Sequence, residues 1–241
     1  MQHALLAREL APNSASAIGI HATLLQGEGK QEQALEELRE GIVKLPLSRE
    51  LRLQYARTLA LTDLVASQFM FEEMLNINPK DEDAIYALAI IAAKNSQPDI
   101  AAKHFNSLAE SARFSDEANF KLGLIKLQQN QTEEAKTYLL RVTPSSSFEK
   151  ALTLLAEIYI SESALADWQT LISVHKTQYP QLFNPLSGIE FSVLSSHGLH
   201  SDALHAVTQA LKAAPNDLNL TYLQALGYEV NGQVAKAEQG L

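Results

Sequence analysis

The sequence predicts an all-α chain built as a solenoid of helix–turn–helix repeats, and three observations predict it. Apolar residues recur at three- and four-residue spacings throughout, and stretches that alternate like strands are hard to find. Prolines punctuate at a near-constant step: Pro12, Pro46 and Pro79 stand 34 and 33 residues apart, and Pro180 and Pro215 stand 35 apart. Between these prolines the same order of small and large residues returns.

The first helix carries a small residue at its middle in every unit but the sixth: Ala22, Ala56, Ala89, Gly123, Ala156 and Ala225. The second helix opens on a small residue, with a large one four positions on. These pairs are Ala34/Leu38, Ser67/Phe71, Ala101/Phe105, Ala135/Leu139, Trp168/Ile172, Ala203/Val207 and Ala237/Leu241. The small residues let paired helices approach, and the large ones fill the space between units. Gly29, Asn130, Gly198 and Gly232 fall between the two helices, where a residue tolerant of the left-handed conformation ends a helix. Six full repeats follow, at about 15–48, 49–81, 82–115, 116–147, 148–182 and 183–217, with a partial one over 218–241. Residues 1–12 fit the tail of a preceding second helix, with Ala7 at its small position. Both ends fall inside repeats, so the chain reads as a single solenoid cut from a longer protein, with residues 235–241 frayed or covered by another chain.

Some units depart from the pattern. Arg113 stands where a proline is expected, and "RVTPSSSFEK" brings Pro144 early and remodels one junction. Trp168 takes a position that normally holds Ala, so it should push its helix outward or demand a different packing. Pro185 and Gly188 predict an irregular first turn for the first helix of repeat six.

Composition narrows the function classes. There is no cysteine, which excludes disulfides, thiolate metal sites and a cysteine nucleophile. The net charge of −9 argues against a nucleic-acid partner, which calls for a basic face. No apolar run is long enough to span a bilayer, and "MQHALLAREL" lacks the continuous apolar stretch of a signal peptide. His197, His200 and His205 lie close together, but their spacing suits no metal pair and no carboxylate completes a set. His175 takes the place of a small core residue. The carboxylates of "EQALEELREG" and "DEDAIY" look like dipole partners and solvated faces. No catalytic fingerprint is present, so no enzyme, metal or cofactor is expected.

The order of small and large residues resembles the tetratricopeptide repeat (TPR) over almost the whole chain. That resemblance implies a right-handed α-superhelix whose first helices line a concave surface. It also implies non-catalytic binding of a peptide, helix or partner protein. On the family geometry the concave wall takes Leu53, Arg57, Tyr86, Ile90, Phe120, Leu124, Leu127, Tyr222 and Leu226. Those from 53 to 127 form an apolar, aromatic-flanked stripe; the alternative is that curvature buries them against each other. The Lys and Asn residues with which chaperone-type members grip a terminal carboxylate are not matched. "LRLQYARTLALTD" and "DAIYALAIIAAK" are similar to bacterial cell-envelope members, notably outer-membrane lipoprotein adaptors of carboxyl-terminal processing proteases. The alternatives are an assembly region of an envelope-biogenesis or exopolysaccharide machine, or the helical part of an enzyme whose catalytic domain lies elsewhere. The compartment follows from this: periplasmic or outer-membrane-associated for the adaptor, otherwise cytoplasmic. Uncapped solenoid ends imply self-association as a further mode.

Overall fold

Among the described residues, the stretches with the three-to-four spacing become helices. The computed structural model describes residues 10–239, and the expected features at Ala7 and Leu241 lie outside them. Fourteen α-helices follow one another among the described residues, and no strand. The first helices of each pair are α1 (Ala15–Gly27), α3 (Arg49–Leu59), α5 (Glu82–Lys94), α7 (Ser115–Gln128), α9 (Phe148–Ser161), α11 (Phe183–Ser196) and α13 (Leu218–Val230). The second helices are α2 (Gln31–Lys44), α4 (Leu64–Ile77), α6 (Pro98–Asn106), α8 (Thr132–Leu139), α10 (Leu165–Gln178), α12 (His200–Ala213) and α14 (Val234–Gln239). The residues divide into two compact units, the first ending at Ile125 and the second beginning at Lys126.

The small-and-large ladder forms the core of each unit. In the first unit Ala22, Ala34, Leu38, Ala56, Phe71, Ala89, Ala101 and Phe105 are buried. In the second, Leu139, Ala156, Ile172, Ala203, Val207 and Ala225 are buried. The clusters run across pair boundaries. Ile18, Ala22, Ala34 and Leu38 close on Leu51 of the next pair, Ala56, Phe71 and Met74 on Ala84, Leu88 and Ile91, and Phe191, Leu194, Ala203 and Val207 on Leu220. At these three junctions one pair thus leaves an apolar face that its successor covers. Ser67, in the place of the usual Ala, donates its hydroxyl hydrogen to the Ala56 carbonyl at 2.8 Å, which removes the penalty of burying it. Gly41 is required by close approach: a Cβ there would lie 2.8 Å from the Ile18 side chain.

Six of the turns inside pairs are one motif. Gly29, Ser96, Asn130, Ser163, Gly198 and Gly232 all have φ between 56° and 75°. In each, the next residue's N–H reaches back five residues, as Lys30 does to Leu25 at 2.8 Å and Ala164 to Tyr159 at 2.8 Å. This is the Schellman closure, which needs a left-handed residue. Sequence reading found the glycines and Asn130 but missed Ser96 and Ser163, which occupy the same conformation at a steric cost. The α3–α4 turn has no such residue; Asp63 caps α4 by accepting from the Ala66 N–H at 2.9 Å.

The departures from the pattern resolve individually. Trp168 is entirely buried in the Ala position, with its indole N–H lacking an acceptor among the described residues. The Ser-rich junction follows a short α8, and Phe148, just after it, is buried against the His175 ring at 5.3 Å. His175 is half-buried, and desolvation holds its pKa below the ordinary histidine value. The irregularity expected at the start of repeat six falls before the helix: a 3-10 turn, Pro180–Leu182, leads into α11, which runs unbroken. Pro185 sits in the first turn of α11, where its missing N–H removes no helical hydrogen bond.

Candidate functional site

The nine residues expected to line a partner surface lie on α3, α5, α7 and α13. In the first unit Leu53 is half-buried and packs on the Phe71–Leu88 cluster. Arg57, one turn on, is 61% exposed. Tyr86, Ile90 and Leu124 are half-buried, and Phe120 is buried at 7% exposure. In the second unit Leu127 and Leu226 are half-buried, and Tyr222 is exposed. The apolar members are therefore recessed and do not stand free, and Leu226 belongs partly to the Phe191–Leu220 core.

In the first unit Arg57 and Tyr86 join one connected cluster. Arg57 donates to an Asp83 carboxylate oxygen at 2.9 Å, and Arg113 pairs with the same oxygen. Arg49 donates to the other Asp83 oxygen at 2.6 Å and forks onto Asp81 at 2.6 and 2.7 Å. The Arg113 guanidinium lies 4.4 Å from the Phe114 centroid. Phe114 in turn stacks on Tyr86, with centroids 4.8 Å apart and planes 15° from parallel. Phe105 meets the Tyr86 ring edge-on at 6.1 Å. Ser111 shapes the loop by accepting from the N–H groups of Arg113 and Phe114, each at 3.1 Å.

Electrostatics fix this cluster. Asp83 is buried, which alone would raise its pKa, but the Arg113, Arg49 and Arg57 guanidiniums outweigh burial and hold it at about 2. Asp81 is also depressed: burial opposes it, while Arg49 and the Ala84 N–H favour the carboxylate. Burial pushes the Tyr86 hydroxyl above its ordinary value, with a further push from Glu117.

This corrects the sequence reading of "DEDAIY". Asp81 does cap α5, accepting from the Ala84 N–H at 3.3 Å, but neither Asp81 nor Asp83 lies on a solvated face. The missed signal was periodic. Arg49 and Asp83 are 34 residues apart, one repeat, so stacking brings them together. Arg113, noted only as a missing proline, supplies the third guanidinium. No group of three metal-ligating side chains comes together among the described residues, and none of their helices is long and apolar enough to cross a membrane.

Comparison with known proteins agrees with the helix-pair architecture. Residues 86–150 match the tetratricopeptide repeat family. A TPR repeat-containing protein of Pseudomonas aeruginosa is 26% identical over 126 residues, which is 52% of this chain and 21% of that protein's length. Among solved structures, PilF of Pseudomonas aeruginosa superposes with a TM-score of 0.58 at 14% identity, covering 88% of this chain and 96% of that one. MamA of Desulfovibrio magneticus RS-1 gives a TM-score of 0.53 at 19% identity, covering 70% and 94%. At these identities the structural likeness speaks to fold. Together with the repeated small-and-large core and the recurring Schellman turns, these matches show a helix-pair repeat fold of the tetratricopeptide kind, with residues 86–150 matching the family itself.

Proposed function

We propose that this chain is a non-catalytic protein-interaction scaffold, and that in its first unit the faces of α3, α5 and α7 receive a peptide or helix of a partner protein. The observation that carries this is the Arg57–Asp83–Arg113–Phe114–Tyr86 cluster. It holds exposed guanidiniums and an aromatic stack in a fixed arrangement beside the recessed Leu53 and Ile90. Preorganised side chains lose little entropy on binding, and Arg and Tyr are the residues that most often anchor interfaces. The specific form of the proposal is an adaptor at the bacterial cell envelope with a processing protease among its partners; its support is the sequence resemblance.

The test is affinity capture from cell extract with the intact chain and with Arg57→Glu and Tyr86→Ser variants, each checked for unchanged helicity. Binding of the captured partner should weaken at least tenfold in each variant. Equal capture by all three proteins would remove the α3–α5–α7 surface from consideration. Tyr222→Ser probes the second unit in the same way.

A further inference from the structure

In the second unit a cleft of about 440 Å³ opens between α10 and α12, over α11. Its floor holds an ion pair: Lys176 Nζ donates to Glu190 Oε2 at 2.5 Å. The two side chains are only 13% and 10% exposed. Ile172, Phe183, Ala206 and Ala210 supply apolar walls, with Gln169 and His205 among the polar lining. The Lys176 ammonium also lies 5.5 Å from the Phe183 ring centroid.

The pair is not needed to close the fold. Lys176 follows Ile172 by four residues, as Leu75 follows Phe71. Glu190 precedes the left-handed Gly198 by eight residues, as Leu88 precedes Ser96. In the first unit these positions are filled by leucines: Leu75 packs against the cluster that contains Leu88. The cleft over α5 is about 420 Å³, with Leu88, Ile91 and Ala92 in its lining. A largely buried ion pair gives no more stability than such an apolar contact. Moreover, the pair keeps hydrogen-bonding capacity that no protein group among the described residues uses. An ammonium has three N–H donors, and Lys176 uses one; Glu190 Oε1 receives no protein donor among the described residues.

We propose that this cleft binds an amide or α-amino-acid group, whose acceptor oxygen takes an N–H of Lys176 and whose N–H donates to Glu190. The attached side chain lies against Ile172, Phe183 and Ala206. Adjacent acceptor and donor on one small group match the adjacent donor and acceptor on the floor, and the cleft has room for one to three residues. The site lies in the second unit, on α10, α11 and α12, and is independent of the α3–α5–α7 surface proposed above.

The test is an NMR titration of the whole chain, read at Ile172 methyl and Ala206 amide signals, with N-acetyl-leucine amide and separately with free leucine. Saturable shifts are expected with a dissociation constant on the order of 1 mM for at least one probe. A stronger response to the capped amide identifies a peptide segment as the ligand, and a stronger response to leucine a free amino acid. Lys176→Leu/Glu190→Leu, which copies the leucine junction, should weaken binding at least tenfold. Ala206→Phe, which fills the cleft without touching the pair, should do the same. Shifts that do not saturate with either probe, or saturation unchanged in whichever variant folds, would overturn the proposal.

Discussion

The Leu75–Leu88 junction and the Lys176–Glu190 junction are the same place in the repeat, built with opposite chemistry. The first is apolar; the second is an ion pair 2.5 Å long on the floor of an open cleft. Both sit beneath the same small-and-large ladder, with Phe71 and Ile172 equally buried above them. The comparison teaches that the same repeat position is filled by either chemistry, and this contrast is what the proposed ligand cleft rests on. The first unit places its own buried charge elsewhere, at Asp81 and Asp83 beside exposed arginines.

The largest expected effect comes from breaking the charged junction on one side only. Glu190→Ala leaves the Lys176 ammonium largely buried without a partner, and should lower stability by about 3–5 kcal/mol. Urea denaturation measures it; a loss below about 1 kcal/mol would mean the pair is already solvated.

Next comes Asp83. Its carboxyl lies at about 2, below the 3.8 ordinary for the group. A depressed acid contributes stability that is present above pH 4 and lost as pH falls toward 2. The difference corresponds to about 2 kcal/mol. Asp83→Asn should therefore be less stable than the parent at pH 7, and most of the gap should be gone by pH 2. A gap that stays constant with pH would detach the ion cluster from the stability of the first unit.

A smaller effect is expected when the second junction is rebuilt as the first. Lys176→Leu/Glu190→Leu should unfold within about 1 kcal/mol of the parent, or above it. A clear loss would make the ion pair structural and end the contrast between the two junctions.

The smallest concerns the turns. Ser96→Gly and Ser163→Gly should each raise stability by about 0.5–1 kcal/mol, because glycine adopts φ near 60° without the clash of a Cβ. A melting temperature lowered in both would mean the serine side chains have a role that their geometry does not explain.

The helices and their small-and-large ladder were legible because burial dictates size and the repeat supplies seven chances to see the pattern. Trp168 shows the limit: its position was legible, while its complete burial depends on how neighbouring side chains yield. Ser96 and Ser163 were invisible because serine marks no turn by composition; only the six-fold recurrence of the closure reveals them. Asp83 was misread because a carboxylate in the first turn of a helix usually faces water. Its burial depends on Arg49 and Arg57 of the preceding pair and on Arg113. The stripe residues fall on α3, α5, α7 and α13 as first-helix positions, but their exposure depends on how far each side chain sinks between neighbours, as the buried Phe120 shows.

The central claim is that a partner docks on the first helices of the first unit and not on the second ones. Site-specific photo-crosslinking tests it most directly, with benzoylphenylalanine placed in turn at position 94 on α5, an exposed position one turn beyond Ile90, and at position 69 on α4, where Phe69 is 59% exposed. The account predicts a covalent partner adduct from position 94 and none from position 69. Adducts from position 69 alone would contradict it.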